Sequence, residues 1–151
     1  MSQRGETNRL VYEADLLLRI DSVPDDALVA RTRALEEGAA LLLEQALVSL
    51  LVEIDDSTVW QSGQWRGQLM ASTIQRAELI QLAELLRRPD SWLSLLLDEC
   101  AAVVPAGRAA TPAAGEVMIA TTRLSRREVL TQAVIEFKAL AAALRHTNEE
   151  W

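Results

Sequence analysis

Gly38-Ala39-Ala40-Leu41-Leu42-Leu43-Glu44-Gln45-Ala46-Leu47-Val48-Ser49-Leu50-Leu51-Val52-Glu53-Ile54 is the most apolar stretch of the 151-residue chain. Its apolar positions recur with a helical period, not a strand's period of two. Leu28, Leu35, Ala39, Leu42, Ala46, Leu50 and Ile54 make one stripe of a helix expected over 24–55. Leu43, Leu47 and Leu51 widen that stripe until only a narrow seam at Glu37, Glu44 and Gln45 stays wet. A helix apolar on most sides is central in a bundle or covered by a partner. Glu44, Gln45 and Glu53 interrupt the run, which is too short and too charged to span a bilayer. Gly38 costs such a helix about 1 kcal/mol against Ala; close approach of a neighbouring helix would account for it.

Working outward, Leu10, Ala14, Leu17 and Leu18 follow the i, i+4, i+7, i+8 template of an amphipathic helix over about 6–21. Ser22-Val23-Pro24-Asp25 is a boundary: Ser can cap, Pro fits a first turn, and Asp favours a helix N-terminus. Asp55-Asp56-Ser57 ends the long helix against its dipole. A polar connector carrying Trp60 and Trp65 follows. A third helix is expected over 68–88, with Leu69, Ile74, Ala77, Leu82, Leu85 and Leu86 inward, stopped by Pro89. A fourth begins at Trp92 behind a cap at Asp90 or Ser91 and ends near Val103 before Pro105. Residues 105–117 are rich in Ala, Pro and Gly and read as a loop, followed by a brief apolar run at 117–120. Ser125-Arg126-Arg127-Glu128 is a capping box. It opens a last helix, about 126–147, with Val129, Ala133, Phe137, Leu140 and Leu144 inward. The expected fold is all-α: one domain over 1–151, an up-and-down bundle of four to five helices with one long Ala/Pro/Gly loop near 105–123.

Half the residues are apolar, aromatics are 4% and the formal charge is −7, which excludes collagenous, disulfide-rich and broadly basic nucleic-acid-binding classes. The acidity is uneven. Residues 1–56 hold five basic and twelve acidic side chains, whereas 57–151 hold ten of each. Such asymmetry marks either an acidic interaction face or a solvated helix surface. The N-terminal residues lack the apolar core of a signal peptide, so a cytoplasmic location is the default. Cys100, the single cysteine, lies in an apolar helical pattern and reads as buried and inert.

Catalytic signatures are sparse. The one histidine, His146, precedes Glu149 and Glu150, but no Glu-x-x-His exists, and a metal needs three or four convergent ligands. No metal and no cofactor is expected. No P-loop, dinucleotide fingerprint or nucleophile elbow occurs. Paired carboxylates (Asp25/Asp26, Glu36/Glu37, Asp55/Asp56, Asp98/Glu99) sit where exposed helix faces or ends would put them. Arg123, Arg126 and Arg127 flank a helix N-terminus and would suit an anion. The global charge opposes DNA binding, so no DNA partner is expected. Trp60 and Trp65 suit a partner contact, because Trp joins a large apolar body to one donor. Packing over the bundle's open end would suit them equally.

The run Pro89-Asp90-Ser91-Trp92-Leu93-Ser94-Leu95-Leu96-Leu97, the Tyr-containing first helix and the final Phe137…Leu144…Trp151 helix resemble an uncharacterised bacterial family of small all-helical proteins, a domain-of-unknown-function family. The resemblance implies a single helical domain. It attaches no activity, cofactor or catalytic residue.

These readings favour a non-enzymatic module acting through protein–protein contacts, as an adaptor or a homo-oligomer, with Trp60 and Trp65 as contacts. A regulatory module binding an anionic ligand or RNA through Arg123, Arg126 and Arg127 is the alternative. An enzyme with a carboxylate-based site is the third reading, and it requires two buried carboxylates facing each other.

Overall fold

The computed structural model describes residues 2–73, 76–103 and 124–149, which form six helices and no strand. These are α1 (Gln3–Arg19), α2 (Leu28–Ile54), α3 (Trp65–Ala71), α4 (Ala77–Arg87), α5 (Trp92–Val103) and α6 (Arg126–Glu149). The expectations for Ile74, the stretch 105–123 with its apolar run at 117–120, Arg123, the side chain of Glu149, Glu150 and Trp151 lie outside the described residues.

The described residues are all-helical, but the expected four to five helices are six among them. The predicted helix over 68–88 is two. Ser72 leaves helical geometry at φ −62°, ψ 130°, and Arg76 re-enters from an extended conformation. Short hydroxyl side chains such as Ser and Thr are weak helix formers, and Ser72-Thr73 follows α3. α2 begins at Leu28, not 24, because Asp25 closes a turn first: its carboxylate accepts from Ala27 N–H at 2.9 Å and its carbonyl from Leu28 N–H at 3.0 Å. α3 begins inside the Trp connector, after a turn in which Gly63 adopts φ +81°, a conformation that favours glycine.

Cross-helix contacts set the directions. Gln3 and Thr7 of α1 meet Ser49 of α2, and Leu17 meets Gly38, so α1 and α2 are antiparallel. Asn8 and Asp15 of α1 meet Arg145 and Lys138 of α6, again antiparallel. Cys100 of α5 donates to the Ala40 carbonyl of α2 at 3.3 Å. Trp92 of α5 stands edge-on to Phe137 of α6, ring centroids 6.3 Å apart, a geometry that adds about 1 kcal/mol beyond area burial. α2, α1, α5 and α6 share one aliphatic core, and the α3–α4 pair packs against α2 and α5.

α2 is central, as its sequence requires. Ala39, Ala40, Leu43, Ala46, Leu47, Leu50 and Leu51 are each 2% exposed or less. Its Gly38 marks the expected close approach: a Cβ there would lie 3.2 Å from Leu17 Cδ1. Among the buried polar side chains is Ser49, whose hydroxyl meets Thr7 Oγ1 at 2.8 Å and accepts from Gln3 Nε2 at 2.8 Å. The capping box forms as read: Glu128 N–H donates to Ser125 Oγ at 3.2 Å, and Ser125 N–H to Glu128 Oε2 at 2.7 Å. Ser91, not Asp90, caps α5, accepting from Ser94 N–H at 3.1 Å.

Candidate partner-binding groove

Trp60 and Trp65 both lie in the core, 7% and 2% exposed. Trp60 Nε1–H donates to the Asp55 carbonyl at 3.0 Å. Neither ring stands on the surface of the single chain, so the expectation that they anchor a partner has no exposed ring to rest on. Their role here is to seal the end of α2 beneath the connector.

That end is stabilised in a way the sequence does not announce. The Asp55 carboxylate is buried and accepts from Ser57 Oγ and Thr58 Oγ1, both at 2.5 Å, and from Ser57 N–H at 3.2 Å. The Ser57 and Thr58 hydroxyls, with Arg76 nearby, hold its pKa below the ordinary aspartate value. Arg76 donates to the Ile54 carbonyl, which offsets the dipole at the helix C-terminus. Asp55 is the single buried carboxylate among the described residues. The facing pair that a two-carboxylate site requires is not present among them. Nor do the described residues hold a group of three or more His, Cys, Asp or Glu side chains placed for a metal.

Arg126 and Arg127 stand among carboxylates. Arg126 Nε donates to Glu99 at 2.6 Å, its Nη1 lies 3.9 Å from Glu37, and Arg127 Nε lies 3.6 Å from Glu36. Three acids around these two guanidinium groups leave no excess positive charge among the described residues here, while Arg127 Nη2 is buried without a hydrogen-bond partner among them. Lys138 pairs with Asp15 at 3.0 Å and Arg145 with Glu53 at 2.6 Å. Four basic side chains of α6 thus meet acids of α1, α2 and α5. Four of the twelve acids of residues 1–56, Asp15, Glu36, Glu37 and Glu53, face these partners.

A groove of about 630 Å³ lies between α2 and α5, with Ser62 and Gly63 of the connector at one end. Leu41 and Val48 of α2 and Leu97 and Ala101 of α5 form its apolar walls. Glu44 of α2 and Arg66 of α3 bring opposite charges to its lining, and neither forms an ion pair with another described residue. The volume lies in the range of ordinary binding sites, and an apolar floor with a few convergent polar groups is their usual make-up. Cys100 sits at the floor. Burial, with Glu44 and Glu99 nearby, pushes its thiol up to about 12, so it packs and does not react. The wet seam read at Glu44 and Gln45 is one lip of this groove. Arg66 carried no signal in the sequence, because nothing local links it to α5.

A second surface also escaped the sequence. Tyr12 and Leu16 on the outer side of α1, with Ile20 just past its end, form an exposed row, 59%, 45% and 43% exposed, opposite the buried Leu10, Ala14 and Leu18. Among the described residues no helix is long and apolar enough to cross a membrane.

A family model described as "Family of unknown function (DUF6586)" matches residues 1–151. No curated protein and no solved structure matches the chain.

Proposed function

The chain belongs to this family of unknown function, and from that premise we propose that it is a non-enzymatic helical module that works through protein–protein contact, with the α2–α5 groove as its docking site. One observation carries the reading: an apolar-walled groove of about 630 Å³ lined by two opposite charges, Glu44 and Arg66, that form no ion pair with another described residue. Leu41 and Val48 stand seven residues apart on α2, and Leu97 and Ala101 four apart on α5. Those spacings are the ridges between which a third helix packs, and helix-in-groove docking reads i, i+4 and i+7 anchors. The buried, fully hydrogen-bonded Asp55 and the inert Cys100 thiol add support for contact over catalysis.

A photo-crosslinking residue, p-benzoylphenylalanine, placed at Gln45 on the groove's lip tests this in cells that naturally contain the chain. Illumination is expected to give a discrete protein adduct from position 45 and none from position 84, an exposed site on α4. Equal labelling at both positions, or none at 45, would overturn the proposal.

A further inference from the structure

We infer that the occupant of the α2–α5 groove is a second copy of this chain, which inserts the outer row of its α1; this rests on the groove being a protein-docking site. The row Tyr12–Leu16–Ile20 is a ridge spanning eight residues, about 12 Å at 1.5 Å per residue. The groove wall from Leu41 to Val48 runs about 10.5 Å by the same measure. Ridge and groove therefore match in length and in apolar character.

The charges match as well. At about 100° per residue, Glu13 and Arg19 lie about 60° to either side of Leu16. The ridge thus carries an acid along one flank and a base along the other. The groove presents Glu44 from α2 and Arg66 from α3. Docking sets Arg19 against Glu44 of the second copy and Glu13 against its Arg66. In the single chain Glu13 is held by Arg9 in an exposed pair, and the exposed Arg19 by Asp15, which also pairs with Lys138; Glu13 and Arg19 themselves stand where exposed ion pairs contribute little. Ridge and groove are different surfaces of one molecule. Made reciprocally, the contact closes as a two-fold dimer; made once per pair, it leaves one ridge and one groove open on each added copy and gives a ring or a filament.

Sedimentation equilibrium on the purified chain decides the matter. The wild-type mass is expected to rise above the 16.7 kDa monomer with concentration. Leu16→Glu removes the ridge and Ala101→Trp fills the groove; both positions are exposed, and each variant alone is expected to stay monomeric with unchanged helical circular dichroism. Mixed in equal amounts, they are expected to form a two-chain species and nothing larger, since one intact ridge meets one intact groove. Arg66→Glu is expected to weaken association a few-fold, and adding Glu13→Arg to the same chain to restore it. If Leu16→Glu perturbs the fold, Ile20→Lys takes its place. A wild-type chain monomeric to about 1 mM, or a mixture that stays monomeric, would overturn the inference. So would loss of assembly by Leu16→Glu but not by Ala101→Trp, the signature of α1 pairing with α1. A crosslink from position 45 to a different protein, with a monomeric wild type, overturns this inference alone. No crosslink at all removes the docking site itself.

Discussion

Arg145 of α6 holds Glu53 of α2 through two parallel hydrogen bonds, Nε to Oε1 at 2.6 Å and Nη2 to Oε2 at 2.9 Å. Its Nη1 donates to Asn8 of α1 at 3.0 Å, so one guanidinium joins three helices. Both charged side chains are 15% exposed, which puts the pair between a solvated contact and a buried one. Arg145→Met should lower unfolding stability by about 2 kcal/mol, because it strands a mostly buried carboxylate. Adding Glu53→Gln should return part of that loss. Urea denaturation of the two single variants and the double variant checks both statements, and additive losses would show that the pair is not coupled.

Gly38→Ala sets helix propensity against space. Alanine gains about 1 kcal/mol in a helix interior, while its methyl group meets only the end of Leu17 at 3.2 Å. Leu17 is half-buried and can swing aside. The variant should match or exceed the wild type by up to about 1 kcal/mol. Gly38→Leu should lose about 1–3 kcal/mol, because α1 itself must then move. The order Ala, wild type, Leu in denaturation midpoint is the test.

Asp55 makes stability depend on pH. Its folded pKa lies below its unfolded value, which is about 3.9. Its contribution is therefore present in full above the unfolded pKa and is lost as pH falls through the folded one. Asp55→Asn should be less stable than the wild type at pH 7, and the gap between the two should close as pH falls below about 4. A gap that stays constant with pH would mean that the hydrogen bonds do not depend on the charge.

Cys100 should be silent to thiol reagents in the folded chain. With the side chain buried and its pKa pushed up to about 12, almost no thiolate exists near pH 8. Ellman's reagent should label the native protein only as slowly as it opens, and the urea-unfolded protein within mixing time. Fast native labelling would mean that the groove floor is open to solvent.

The helices were legible wherever their determinants are local. The Ser125–Glu128 box, the stop at Pro89 and the apolar breadth of α2 each act within a few residues, and each appears where the sequence puts it. The break after Ala71 was not legible, because Ser72-Thr73 only weakens a helix, and tertiary packing decides whether it ends. The candidate sites were less legible still. Trp60 and Trp65 sit in a polar connector, and only the folded-back chain shows that they turn inward. Arg126 and Arg127 looked free beside a helix N-terminus, because Glu36, Glu37 and Glu99 lie far away in the sequence. The groove is defined by residues from α2, the connector and α5, and no local pattern joins them.

The Ser49 hydroxyl cluster has a consequence for how the chain finds one arrangement. Leu and Ala recur so regularly on α1 and α2 that sliding one helix a turn along the other, about 5.4 Å, would keep most aliphatic contacts. That slip would set Val11 against Ser49 where Thr7 now stands. It would strand hydroxyl groups in an apolar interface at about 1–3 kcal/mol each. Three small polar side chains thus do what the leucines cannot: they discriminate the native register from its near-copies.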